Sequence, residues 1–526
     1  FYPFWGIYYL RIDATFSERS NSGHTDPRGH QKGSCCCSAR PNEMISDAVT
    51  YCWEFASGVL AIVVAFLALL RRAQAKSRAR IGHKGDDEDG TVMSPSSKTV
   101  VLLTNRIGTF EGATGGGSYM REVLMQALET EGYNIVKVAA GHGFQPDVVE
   151  TVRGPMMTAS LRNQRCFLEV LQGADLLVTS GTYTPLMSWA VTTARLIQLK
   201  SLYIITTNSS KAADASFSGP QRRLARTLLL WNDRWCAKLA TAAYTRSAAF
   251  AEELRKDFGI EVAGIMSQNS QYEAFFPFDP LNQDHVDARA STRQRLTMGQ
   301  PHRPLYLFAG RFRPEKRIPL LVRAFRQASA EGTLKDAVLA IVGKGEDSFN
   351  VELGELHDPQ NGIHIFADFV DKVQLRACYF AADVHVSASD FETLGNTVHE
   401  SLLCGTPVVV QRAGGYLSQV VPAGSGASQG FLVDFEAPAE TEAALQGALA
   451  MKDAAAAGGS SSLVGPITRD TVEGTALVRE LLFRSPALES PGIFSSLCFA
   501  ATNAAVIGGL HFPYSIISTY SKTKVA

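Results

Sequence analysis

The feature that most constrains this chain is a pattern that occurs twice: short apolar runs alternating with stretches of helical periodicity. The first block opens at Thr99 with TVVLLTN, followed by the glycine-rich GATGGGS (Gly112–Ser118) and then YMREVLMQALETEG, which ends at Gly132. NIVKVAA follows, and further strand candidates are Asp175–Thr179, Ser201–Thr206, Ala242–Thr245 and Val262–Met266. The second block reads PLYLFAG, LVRAFRQASAEG, AVLAIVG, HIFAD, QLRACYFAA, DVHVSAS, NTVHESLLCG and PVVVQ. Strands that are apolar throughout, rather than alternating, are buried on both faces, as in parallel sheets with helices above and below. The fold class is therefore α/β, with two doubly wound Rossmann-like domains. Two such sheets joined by a hinge leave a cleft, and ligands collect at the carboxyl ends of the strands.

The flanks divide the rest of the chain. Residues 1–50 lack sustained periodicity and read as a disordered tail; its Cys35-Cys36-Cys37 is either an incidental run or a set of acylation sites near a membrane. Phe1 stands where a Met would begin a full chain, so an upstream segment is expected. Residues 51–72 read as a transmembrane anchor: Phe55–Leu70 carries no charge, Tyr51 and Trp53 precede it, and Arg71-Arg72 follow. The positive flank puts the remainder on the cytosolic or stromal side, with a plastid membrane among the candidates. Residues 73–97 are a linker; Asp87-Glu88-Asp89 within it belongs to a solvated acidic run rather than a metal site. Residues 98–278 form the first domain, 279–303 a polar strand-free connection, and 304–450 the second domain. Residues 451–526 comprise a loose Ala/Gly/Ser-rich stretch at 452–464, a helix over Thr468–Phe483 and an apolar tail. Ile493–Leu510 in that tail is a diluted candidate for a second membrane segment.

Composition narrows the function. Lys and Arg total 50 against 51 Asp and Glu, so the basic excess of a nucleic-acid binder is absent. Nine cysteines without a C-x2-C pair offer neither a zinc module nor a disulfide framework.

Two loops carry chemistry. Asp390-Phe391-Glu392-Thr393-Leu394-Gly395-Asn396 joins the strand DVHVSAS to a helix containing His399-Glu400. A helix N-terminus at a strand's carboxyl end presents free N–H groups and a positive dipole to a phosphate, and Gly395 permits close approach. Glu392 and Glu400 can both face the cleft and accept hydrogen bonds from hydroxyls. Gly310-Arg311-Phe312-Arg313-Pro314-Glu315-Lys316 ends the strand PLYLFAG and supplies cations suited to a diphosphate.

Taken with Val342-Gly343-Lys344-Gly345-Glu346 and the turn Ala413-Gly414-Gly415, these loops resemble retaining glycosyltransferases of the GT-B fold, family 4, with its E-x7-E element. The likeness is best over about residues 304–435. It implies that Arg311 and Lys316 bind the donor diphosphate, that Glu392 meets the donor sugar, and that Glu400 meets the ribose. Thr393, Leu394 and Gly395 would lend backbone donors, Gly343 and Gly345 would border the nucleotide base, and Gly115, Gly116 and Gly117 would form the N-terminal glycine loop. No cofactor or metal is implied beyond a nucleotide-diphosphate donor, expected to be a UDP-sugar. SASDFETLGNTVHES, GTPVVVQRAGG and QNSQYEAFFPFDP are similar to plant and algal sulfoquinovosyltransferases, implying a diacylglycerol-type lipid acceptor and sulfolipid synthesis. Relatives often carry a His after the strand corresponding to Tyr203–Thr207; here Asn208 is the nearest candidate, either as a neutral donor or as a turn residue. His142, His364, His385 and His399 are read as structural rather than chemical.

Two other readings compete. GATGGGSY after a strand is compatible with an NAD(P)-dependent oxidoreductase or epimerase, although Tyr133 and Lys137, the available Tyr-x3-Lys pair, enter a strand that would separate them. The missing His also permits a membrane scaffold that keeps the shape without turnover.

Overall fold

In a computed structural model, the described residues are 98–104, 116–139, 168–180, 185–216, 218–267, 272–330, 334–345, 353–368, 370–420, 429–458 and 471–485. The predicted anchor at 51–72, the cysteine run, the acidic run, Gly115, His142 and the segment 493–510 lie outside them. Among the described residues no helix is long and apolar enough to cross a membrane.

Among the described residues there are two parallel sheets. The first has seven strands in the order β13-β6-β5-β4-β3-β1-β2. These are β1 Thr99–Thr104, β2 Asn134–Ala139, β3 Leu176–Ser180, β4 Lys200–Ile205, β5 Ala242–Thr245, β6 Gly264–Ser267 and β13 Thr471–Glu473. The second has six in the order β12-β11-β10-β7-β8-β9, namely β7 Leu305–Ala309, β8 Val338–Val342, β9 Ile363–Phe366, β10 Val384–Ser387, β11 Val408–Gln411 and β12 Gly430–Val433. β3, β7, β8, β10 and β11 are buried along their whole length, which is why their sequences are apolar runs.

Strand order fixes where a ligand belongs. In each sheet the chain winds outward one way and then the other. The reversal falls between β1 and β3 in the first sheet and between β7 and β10 in the second. Crevices open at the carboxyl ends of strands at such switch points. The two charged loops read from the sequence follow β7 and β10, so topology brings them together.

The helices, in chain order, are α1 Gly116–Thr130, α2 Pro185–Leu196, α3 Ser209–Ser216, α4 Gly219–Leu239, α5 Ala248–Phe258, α6 Gln283–Leu296, α7 Ile318–Ser329, α8 Lys372–Ala381, α9 Asn396–Leu403, α10 Tyr416–Gln419, α11 Pro438–Gly458 and α12 Gly474–Phe483. Helix α6 occupies the polar connection between the sheets. Its Arg293 is anchored to Asp383 of the second domain at 2.8 Å.

The C-terminal part departs from the sequence reading in two ways. Helix α11 runs on to Gly458, into the stretch expected to be loose, because alanine is the best intrinsic helix former. The helix expected over Thr468–Phe483 begins only at Gly474. Thr471–Glu473 instead pairs with β6, where the β-branched Thr471 and Val472 suit an edge strand. The chain thus returns to complete the first sheet. Leu477, Val478 and Leu481 of α12 pack into the core around Met120, Leu124 and Leu176. Lys200 Nζ fastens the end of that helix by donating to the carbonyls of Leu481 (2.8 Å) and Ser485 (2.6 Å).

Candidate functional site

Backbone proximity builds the site before any side chain does. Gly310 N donates to Val342 O, and Phe312 N donates to Lys344 O at 3.0 Å, so the loops after β7 and β8 lie against each other. A Cβ at Gly343 would sit 1.8 Å from Gly310 O, and one at Gly345 would sit 2.4 Å from Phe312 O. Glycine is required at both positions for that contact. The Ala413-Gly414-Gly415 turn does the same for the loop after β10. Gly415 N donates to Glu392 O at 2.7 Å, a Cβ at Gly414 would come within 2.4 Å of Glu392 O, and one at Gly415 within 2.6 Å of Leu394 Cα.

On this frame the sequence-predicted residues converge. Ser389 Oγ donates to Glu315 O at 3.0 Å, fixing the end of β10 to the 310–316 turn. Lys316 Nζ forms a hydrogen-bonded ion pair with Glu392 Oε1, both side chains largely enclosed. Arg311 is half-buried, and its guanidinium makes no hydrogen bond or ion pair among the described residues. Burial lowers its pKa from the usual guanidinium range. Arg313 acts in the same direction, and Glu315 and Glu392 act against it. A partly desolvated guanidinium with no hydrogen bond to the described residues is suited to gripping an anion.

Helix α9 starts beside this group. Gly395 is its N-cap in the left-handed region (φ 91°), and a Cβ there would meet Tyr416 Cε1 at 2.4 Å. The N–H groups of Asn396 and Thr397 in the first turn lack intrahelical acceptors by construction. One and a half turns along, Glu400 Oε2 accepts from Tyr379 OH at 3.1 Å. Burial pushes the Glu400 carboxyl up to about 7, opposed by the Tyr379 hydrogen bond and by Lys372. His399, adjacent in sequence, is buried edge-on against Tyr272 with ring centroids 4.2 Å apart. Burial holds its imidazole down at about 4, with Arg246 adding to the effect. It is a neutral packing residue, as is His385, also held at about 4 by burial.

The first domain meets this loop directly. Thr393 Oγ1 donates to Thr206 O at 3.0 Å, and Tyr272 OH donates to Asn396 Oδ1 at 2.9 Å. Asn208 is buried and bonded at both ends of its amide: Nδ2 donates to Glu253 Oε1 at 2.8 Å, and Oδ1 accepts from Lys211 N at 3.0 Å. Its amide works within the protein, in the turn position that the sequence reading held as one of two options. Gly116 and Gly117 open helix α1 after β1, at the first sheet's switch point. Lys137 pairs with Glu129 at 3.1 Å rather than with Tyr133, so no Tyr–Lys couple forms there.

One buried group had no sequence signal. Asp233 on α4 accepts from Tyr203 OH at 2.7 Å and Ser209 Oγ at 2.5 Å, and burial raises its carboxyl to about 7. It ties α4 to the end of β4 and the start of α3, beneath Asn208. A lone Asp in a helical stretch looks like any exposed acid until the packing is known.

Residues 298–459 match the family described as glycosyl transferases group 1. The chain is 33% identical over 140 residues to the sulfoquinovosyl transferase SQD2 of Arabidopsis thaliana, covering 27% of this chain and 25% of that protein. It is 34% identical over 133 residues to D-inositol 3-phosphate glycosyltransferase 2 of Catenulispora acidiphila, covering 24% of this chain and 31% of that one. The chain therefore spans only a quarter to a third of the length of these curated relatives. Among solved structures, sucrose-phosphate synthase from Thermosynechococcus elongatus has the same fold at 17% identity, with a TM-score of 0.50, covering 81% of this chain and 99% of that one. Residues 298–459 thus match the glycosyl transferases group 1 family, and the two-sheet architecture is a fold shared with that synthase.

Proposed function

We propose that this protein is a retaining glycosyltransferase that moves a sugar from a nucleotide diphosphate to a hydroxyl. The observation that carries this reading is the unpartnered, half-buried Arg311 beside the Lys316–Glu392 pair and the N-terminus of α9. Such a group binds a diphosphate bidentately and receives its charge at a helix end. Departure of the sugar increases the charge on the diphosphate, and Arg311, Lys316 and the amides at 395–397 stabilise that charge most in the transition state. These fixed cations carry the leaving-group charge without a metal. Glu400 accepts from the ribose, and Glu392, once Lys316 turns to the phosphate, accepts from the donor sugar. Gly343 and Gly345 let the base approach the loop backbone, and the glycine loop entering α1 borders the acceptor. Similarity to a sulfoquinovosyl transferase supports sulfoquinovose as the sugar moved; a UDP-linked donor and a diacylglycerol-type acceptor at a membrane extend this reading from the motif resemblance in the sequence.

The test is a product screen by mass spectrometry. UDP-glucose, UDP-galactose, UDP-sulfoquinovose and GDP-mannose are offered with dioleoylglycerol vesicles, with and without EDTA. Transfer that persists in EDTA is expected. Binding of NAD with no consumption of any nucleotide sugar would move the protein to another class.

A further inference from the structure

The loop that carries Glu392 is held from both domains, within its own by Ser389, Lys316 and Gly415 and across the cleft by side chains of the first domain. Its carbonyls at 390, 392 and 393 all accept hydrogen bonds. Only the middle one is satisfied within the second domain, by Gly415 N. Asp390 O accepts from Lys211 Nζ at 3.1 Å, and Thr393 O accepts from Ser247 Oγ at 2.5 Å. Both donors stand on the first domain at strand ends that face the cleft. Lys211 lies in the first turn of α3 after β4, and Ser247 follows β5 as the N-cap of α5.

We infer that Lys211 and Ser247 are positioning residues. They grip the backbone on either side of Glu392 and so set its carboxylate from the opposite domain; this rests on the glycosyltransferase reading above. Lys211 is itself prepared for the task. Its ammonium lies 3.4 Å from Glu253 Oε1, and Asn208 bonds both Glu253 and the Lys211 backbone, so the side chain is framed from two directions. Thr393 completes the clasp by donating its own hydroxyl to Thr206 O. The donor-side carboxylate is therefore in register only when the two domains are together. The acceptor domain thereby controls when the donor sugar is correctly held, and a donor bound to the second domain alone waits in a looser loop.

The substitutions separate clasp from scaffold. Lys211→Met removes the donor but keeps the aliphatic stem. Ser247→Asp keeps an oxygen to cap α5, where Ser247 accepts from Phe250 N at 3.2 Å, but has no hydroxyl to donate to Thr393. Lys211→Arg and Ser247→Thr retain the donors. Hydrogen exchange on the ligand-free full chain reads the loop, calorimetry with UDP reads the diphosphate site, and UDP release from UDP-glucose, UDP-galactose or UDP-sulfoquinovose reads turnover. Lys211→Met and Ser247→Asp are expected to speed exchange across 389–396 about tenfold and lower kcat about tenfold, with UDP affinity within about twofold and KM little changed. The conservative pair should restore both. Unchanged exchange at 389–396, or equal impairment of Lys211→Arg and Lys211→Met, would overturn the inference. A wild-type protein that neither binds UDP nor consumes a UDP-sugar would refute the proposed activity instead, and the exchange data would still decide whether the clasp exists.

Discussion

Replacing Glu392 with Gln should tighten the binding of UDP while slowing transfer, two effects of opposite sign from one atom pair. Without ligand, the carboxylate of Glu392 holds Lys316, with the two side chains only 18% and 17% exposed. A diphosphate that recruits Lys316 must first break this pair and then tolerate a carboxylate nearby. At 4 Å and an effective dielectric of about 20, the raw attraction of such a pair is about 4 kcal/mol, but solvation and side-chain entropy remove most of it. A net of about 1–2 kcal/mol for a partly enclosed pair corresponds to about 5- to 30-fold in an equilibrium constant. Gln keeps the size and one acceptor but not the charge, so calorimetry should show UDP binding to Glu392→Gln tighter by about fivefold or more. UMP, which lacks the second phosphate, should gain less. Turnover should nevertheless fall, because the carboxylate is no longer available to the donor sugar. UDP affinity that is unchanged or weaker in Glu392→Gln would mean that the Lys316–Glu392 pair does not stand in the path of the diphosphate, and the reasoning would fail.

Other consequences follow from the same geometry. Arg311→Ala and Lys316→Ala should each weaken UDP binding by about 10- to 100-fold and lower turnover by about 10²-fold, checked by calorimetry and product analysis, since each removes a charge-assisted hydrogen bond to developing charge. Gly415→Ala forces its new Cβ and the Leu394 backbone apart by at least about 0.4 Å to reach the 3.0 Å that such contacts need. Because a misplacement of about 1 Å costs about 10²-fold, kcat should fall about tenfold with little change in the thermal midpoint. Asp233, near 7 when folded and in the ordinary carboxylate range when unfolded, keeps a proton that the unfolded chain releases. Its contribution to stability is therefore complete below about pH 4 and is lost as the pH rises toward 7, by at most about 4 kcal/mol. His385 and His399, held neutral, tilt stability the other way from pH 6.5 down to 4, so the comparison must be between Asp233→Asn and wild type. Denaturant titrations at several pH values should show that the decline between pH 4 and 7 is shallower in Asp233→Asn.

The strands were legible because burial on both faces leaves an unbroken apolar run, and Leu305–Ala309 and Val338–Val342 lie inside the stretches that the sequence marked. The two charged loops were legible as motifs, but their adjacency came from strand order: β7 and β10 end 78 residues apart, at Ala309 and Ser387, and are neighbours in the sheet. Three features had no local signal. Thr471–Glu473 is too short to show a period and becomes a strand only because β6 offers an edge. Lys211 and Ser247 look like ordinary solvated and capping residues, and their partners are carbonyls in the other domain, which carry no residue identity. Asn208 read equally as a neutral donor or as a turn residue, and its amide bonds Glu253 and the Lys211 backbone. That pairing depends on where α5 packs, which the residues around Asn208 do not encode.

In the reading proposed above, a diphosphate sits between the 310–316 turn and the first turn of α9. A crystal structure of the full chain with UDP tests it most directly. Phosphate oxygens are expected within hydrogen-bonding distance of Arg311, Lys316 and the amides at 395–397, with Lys316 turned away from Glu392 and the ribose on Glu400. Phosphates bound elsewhere, with the Lys316–Glu392 pair intact, would contradict it.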